Sequence, residues 1–239
     1  MQFIPIKTRK MLPPKDDLFA VLDESLTDVQ EGDIILITSK VVAIHQGRCI
    51  PIIEVQDKDE LIRQEAEKYL ERDMTAQYPV MLTIKHHTLI ASAGIDESNA
   101  NGHYILWPEH IQETAKEIWE YLREKHYVQN LGIILTDSHS LPLRWGVLGV
   151  AIGFWGFEPM TDLRGKPDLF GRPLTMTRQN IPDALAALGV HVMGESDECT
   201  PLLLVRGFPL HFTDVDKSAA FWVEPKDDMF KKLLEAFND

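Results

Sequence analysis

A chain of 239 residues that is 44% hydrophobic can bury a sizeable core, and its length suits one large domain or two intertwined ones. Its 24 Lys and Arg against 37 Asp and Glu give a net charge of −13, which repels nucleic acid backbones. An acidic ligand stays possible wherever a metal ion or a local basic cluster reverses the field of one pocket.

Cys49 and Cys199 have no close spacing, which argues against a zinc ribbon or a disulfide scaffold and fits a reducing, cytoplasmic setting. The opening MQFIPIKTRKML carries charge and proline too early for a signal peptide, and no apolar run approaches the ~20 residues that cross a bilayer.

In chain order, Phe3–Ile6 reads as a strand, and Thr8 to Lys15 as a basic, proline-bearing loop. A helical stripe with Leu18, Val21 and Leu22 follows, then a turn at Gly32-Asp33. The apolar run Ile34–Ile37 ends in Thr38, Ser39 and Lys40, and Val41–Ile44 continues the extended pattern. Residues 57–72 read as one amphipathic helix with Ile62, Ala66, Tyr69 and Leu70 on a single face. A hairpin is expected over Val80–Ile84 and Thr88–Ala91, turning at Lys85, His86 and His87. The next segment, ASAGIDESNANG, leads from small residues into Asp96, Ser98 and Asn99, and Gly94 allows a close backbone approach.

An amphipathic helix is expected over 109–125. Leu131–Leu135 then gives way to Thr136, Asp137, Ser138, His139 and Ser140, with Arg144 placed to meet a phosphate or a carboxylate. An apolar strand that ends in acid and hydroxyl oxygens is either half of a site for a hard cation or a plain strand-to-turn corner. Residues 147–156, punctuated by glycine, suit a strand pressed against other backbone. A long polar loop spans 162–173, and Pro182 opens a helix that ends at Met193-Gly194, before three acids in the four residues 195–198. Leu202–Val205 is a strand, and 227–237 a last helix with Phe230, Leu233, Leu234 and Phe237 inward.

If the strand ends converge, Asp96, Asp137, Ser138 and Glu195 make an all-oxygen set suited to magnesium or manganese, with Lys40 as a point charge for phosphate. There is no P-loop, no H-E-x-x-H and no G-x-S-x-G.

GDIILITSKVVA (32–43), AGIDESNA (93–100), GIILTDS followed by Pro142, Arg144 and Gly146, VAIGFWGFEPMTDLRGKPDLFGRPL (150–174), MGE with Glu198, and PLLLVRG (201–207) together resemble the coenzyme F420-0:L-glutamate ligases, the CofE-like gamma-glutamyl ligases. The resemblance runs nearly end to end. It implies an α+β, intertwined two-domain fold over residues 1–239 and a homodimer. It also implies GTP as co-substrate, two divalent cations (Mg2+ or Mn2+) and a stimulating K+. By this resemblance Asp96 and Asp137 bind one metal, and Ser138 and Glu195 the second. Ser39, Lys40, Asn99, Met193, Gly194, Glu195, Ser196, Asp197, Glu198, Cys199 and Thr200 line the GTP site, helped by the segment before Asp16.

The activity so implied is a GTP-dependent addition of L-glutamate to a carboxylate acceptor through an acyl phosphate, with Asp96, Asp137 and Arg144 as catalytic residues. Three departures stand out. Ile44 replaces a family Lys, with His45 as a candidate substitute. Ser140-Leu141-Pro142-Leu143-Arg144 lacks one Arg and one aromatic on the acceptor side. The chain also looks short for the type. Other readings are a ligase that lengthens the glutamate tail of folate, a metal-dependent nucleotide phosphatase and a non-catalytic nucleotide binder.

Overall fold

The computed structural model describes residues 1–237. Its strands are β1 (Gln2–Ile6), β2 (Asp33–Thr38), β3 (Cys49–Pro51), β4 (Lys68–Leu70), β5 (Leu82–Lys85), β6 (Thr88–Ala91), β7 (His103–Ile105), β8 (Leu131–His139), β9 (Leu148–Trp155), β10 (Met160–Asp162), β11 (Arg178–Asn180) and β12 (Leu202–Arg206). The helices are α1 (Leu18–Ser25), α2 (Ser39–Gln46), α3 (Lys58–Glu65), α4 (Ile111–His126), α5 (Ile181–Met193) and α6 (Lys231–Leu234). Mixed sheets and helices make this an α+β fold, as expected.

The centre is a five-stranded sheet in the order β1-β12-β2-β8-β9. All its pairings are antiparallel except β2 with β8, which run parallel with Thr38 beside Thr136. Both faces are covered, which is why β2 and β8 read as unbroken apolar runs rather than as alternating patterns. Ile35, Ile37, Ile133 and Leu135 face a core shared with Leu22 of α1 and with Ile118 and Leu122 of α4. Ile34, Leu36 and Ile134 face Leu185, Ala186 and Val190 of α5.

The chain between α2 and α4 forms a smaller unit around the antiparallel sheet β4-β5-β6, with its own core of Ile62, Met81, Ala93, Ile95, Tyr104 and Leu106. Among the described residues, no helix is long and apolar enough to cross a membrane.

Four expectations need correction. Val41–Ile44 is not extended but lies in α2, a helix that begins directly after β2 and closes at Gly47 in the left-handed region. Its three β-branched residues mislead because intrinsic propensity is a weak prior against burial, and all four residues are buried. The helix expected over 57–72 stops at Glu65, since Lys68–Leu70 pairs with β5 instead. Of the four face residues named for that helix, only Ile62 lies within it.

The strand expected to end near Leu135 continues to His139, with a bulge between Leu135 and Thr136. The tail forms only the short α6, and Phe230 and Leu233 are 56% and 68% exposed rather than inward.

Candidate functional site

Parallel neighbours in a sheet bring their C-terminal ends side by side, and ligands gather in the crevice outside those ends. Here the ends are Thr38-Ser39-Lys40 of β2 and α2, and Thr136-Asp137-Ser138 of β8, and both line one cleft of about 720 Å3. The bulge at Thr136 re-aims the last residues of β8, a common device beside functional sites.

Two loops complete the walls. One carries Asp96 and Asn99 and is pinned by the paired backbone bonds of Asp96 with Ile105, both 2.9 Å. The other is residues 193–200, which leaves the end of α5 and returns to the sheet where the Thr38 N–H donates to the Pro201 carbonyl at 3.0 Å. The Asn99 amide donates to the Ser196 carbonyl at 2.8 Å and joins the two loops. The basic segment Thr8–Pro13, which precedes Asp16, lines the same cleft.

Lys40 lies among the acids. Its Nζ sits 2.7 Å from Asp96 Oδ2 and donates to the Ser98 carbonyl at 2.8 Å. Burial works against the Asp96 charge, but Lys40 and the donors of Ser98 outweigh it and hold the carboxyl below the ordinary carboxylate range. Asp137 differs. Burial pushes its carboxyl up to about 6, against the donors Trp107 and Ser138, and the nearby Asp96 charge adds to the rise. Desolvation also raises Glu195; Lys40 opposes this, while Asp96 and Glu198 reinforce it.

Among the described residues, no three acidic, histidine or cysteine side chains form a ready-made metal cage. The donor chemistry nevertheless suits a hard cation. Asp96, Asp137 and Glu195 share one cleft, burial raises two of the three carboxyls, and the Lys40 ammonium beside them offsets only part of the rise.

This arrangement sets a pH dependence. Between the ordinary carboxylate pKa and about 6, folded protein holds the Asp137 proton more tightly than unfolded protein does. The contribution of this group to stability is therefore present at low pH and fades as pH rises through that window. A divalent cation held by this carboxylate would compete with the same proton. The rise in melting temperature on adding Mn2+ should be clearly larger near pH 7.5 than near pH 5, and differential scanning fluorimetry at the two pH values checks this.

Of the residues singled out from the sequence, Ser39, Lys40, Asp96, Asn99, Asp137, Ser138 and all of 193–200 line the cleft. Arg144 does not. It sits in the exposed loop after β8, and its guanidinium donates to the neighbouring Leu143 carbonyl at 2.8 Å. Ile44 lines the cleft, but His45 does not replace the missing charge there. Its Nδ1 accepts the Leu18 N–H at the start of α1.

The cleft residue Trp107 gave no signal in the sequence, since it follows β7 inside an unremarkable apolar run. The partner of Gly94 also becomes clear: a Cβ there would stand 2.0 Å from Nε1 of the Trp107 indole.

The fold and the cleft define an α+β protein with an acidic, lysine-bearing site at the ends of two parallel strands. The model of the F420-0:gamma-glutamyl ligase family matches residues 6–207. Relatives named coenzyme F420:L-glutamate ligase include one from Methanopyrus kandleri, 33% identical over 95% of this chain and 96% of its own length. Others come from Methanothermobacter thermautotrophicus, 30% identical over 90% of each chain, and Methanosarcina mazei, 29% identical over 100% of this chain and 99% of its own. The chain belongs to the F420-0:gamma-glutamyl ligase family, a family of amide-forming ligases. It is not short for the type, since it spans nearly the whole length of these relatives.

Proposed function

We propose that this protein is a gamma-glutamyl ligase that uses GTP to join the amine of L-glutamate to a carboxylate acceptor of the coenzyme F420-0 kind. The observation that carries the reading is the meeting of Asp96, Asp137, Ser138 and Glu195 with Lys40 in one cleft at the start of α2. Family membership supplies the reaction class, and the names of the relatives supply glutamate and the acceptor.

The N-terminus of α2 has no side-chain cap and presents the positive end of a helix dipole, which suits a phosphate, and Lys40 adds a full charge beside it. Asn99 and the loop 193–200 form the wall for the rest of the nucleotide. Asp96 with Asp137, and Ser138 with Glu195, would hold two Mg2+ or Mn2+ ions. When bound, such ions neutralise charge on the transferring phosphoryl group.

In the first half-reaction an acceptor carboxylate oxygen bonds to the γ-phosphorus, the bond to the bridging oxygen breaks, and GDP leaves. In the second the glutamate amine attacks the acyl carbon of the resulting acyl phosphate, the C–N bond forms, and phosphate departs as the nitrogen loses its proton. Lys40 stays next to charge that builds on phosphate oxygens throughout, so it contributes more as that charge grows. K+ enters as a stimulating ion.

A homodimer completes the reading. Leu143, Trp145, Leu169 and Phe170 are 94%, 81%, 99% and 89% exposed, an amount of bare apolar surface that association would cover.

The test is direct. Purified protein with GTP, Mn2+, L-glutamate and coenzyme F420-0 should release GDP and yield, by mass spectrometry, a product heavier by glutamyl residues. GTP consumption indifferent to glutamate would point to a phosphohydrolase, and extension of folate alone would move the acceptor assignment to folate.

A further inference from the structure

We infer that Trp107 is the positioning residue that holds the Asp137 carboxylate ready for a divalent cation, and that Gly94 is the residue that makes room for it. This rests on the metal reading of the cleft given above, and it extends that reading to a cleft-lining side chain outside the proposed ligand set.

The indole N–H donates to Oδ2 of Asp137, and the Ser138 backbone N–H donates to Oδ1 at 2.8 Å. One donor on each oxygen fixes both the plane and the tilt of the carboxylate. An ionised carboxylate offers about four lone-pair sites, so each oxygen keeps a free one for a cation. Donors that orient a ligand in this way are half of a working metal site.

The indole itself has little freedom. Trp107 is 1% exposed. The His86 ring lies parallel to it, at 8° with centroids 6.3 Å apart. Its backbone carbonyl accepts from Nε of Arg48 at 3.1 Å, and Arg48 is in turn held by Glu65 at 2.6 Å and Glu109 at 3.0 Å.

On the remaining side is Gly94. Ser92, Ala93 and Gly94 take φ values of 54°, 53° and 72°, a run of left-handed residues that folds the loop onto the ring. With a Cβ only 2.0 Å from the indole nitrogen, any larger residue at 94 would have to displace the donor. Asp96 follows two residues later on the same loop. The indole therefore lies between the two acidic arms of the site: it bonds to one and carries the turn that presents the other. A phenyl ring in its place could still pack, but it could not donate.

The experiment compares wild-type protein, Trp107→Phe and a variant carrying benzothienylalanine at 107, in which sulfur replaces the N–H at nearly constant volume. Each is stripped with EDTA and titrated with Mn2+ under electron paramagnetic resonance, with melting temperature recorded in EDTA. Both variants should bind Mn2+ about 10–100-fold more weakly, the usual cost of losing such a support. The Mn2+ concentration needed for half activity should rise in parallel, while the KM for L-glutamate stays unchanged.

Should Trp107→Phe unfold, the benzothienyl variant decides alone. Wild-type Mn2+ affinity in a folded variant without the donor overturns the inference and leaves the metal reading standing. A wild-type protein that binds no Mn2+ overturns both.

Discussion

Asp137→Asn should lower ligase turnover about a thousandfold while leaving the fold intact. The change keeps size and shape and removes one charge. That charge is the one most strongly disfavoured by its surroundings, as its carboxyl raised to about 6 indicates. Removing a ligand should exceed the 10–100-fold cost of removing a residue that merely supports one.

The melting temperature without metal should stay level or rise near neutral pH, because a poorly compensated buried charge has been removed. The Mn2+-induced rise in melting temperature should disappear. Steady-state turnover and scanning fluorimetry on the same preparation separate the two effects. Turnover within tenfold of wild type would show that this carboxylate is not a ligand.

Gly149→Val should be the most destabilising single change in the central sheet. Gly149 pairs with Ser138 across β8 and β9 and faces α5. A Cβ there would stand 2.0 Å from the Ala186 carbonyl oxygen and 2.6 Å from Cγ2 of Val190. The first of these is helix backbone and cannot move without shifting α5 away from the sheet. Overpacking of this kind costs about 3 kcal/mol, which for a chain of this size lowers the melting temperature by about 6–12 °C. Because α5 leads directly into the loop 193–200, the variant should also bind GTP more weakly at temperatures where it remains folded. Calorimetry of unfolding and of nucleotide binding checks both.

The parts of the fold visible in the sequence are those where a single physical demand dominates. Ile34–Ile37 and Leu131–Leu135 are buried on both faces, and only a central strand needs such a run. The glycines of β9 mark close approaches in the sequence, and the partners prove to be α5 at Gly149 and Ile111 of α4 at Gly153. Asp96, Asp137 and Ser138 stood out because oxygen-bearing side chains directly follow small or apolar residues.

Less visible were places where local and tertiary preferences compete. Val41–Ile44 has three β-branched residues in four but is helical, because burial of the segment against the core outweighs its local preference. Tyr69 and Leu70 fit a helical stripe equally well, and their pairing with β5 lies too far along the chain for a local pattern to reveal. Arg144 is near Asp137 in sequence, but the loop carries it to the surface and not to the cleft. Trp107 could not be found at all, since its role depends on a glycine thirteen positions before it and a carboxylate thirty positions after it.

The most direct measurement is the anomalous scattering of Mn2+ in crystals grown with GTP. Two manganese peaks are expected in the cleft, one against Asp96 and Asp137 and the other against Ser138 and Glu195, with the phosphates beside Lys40. Manganese and nucleotide bound elsewhere on the molecule, with this cleft holding neither, would contradict the account.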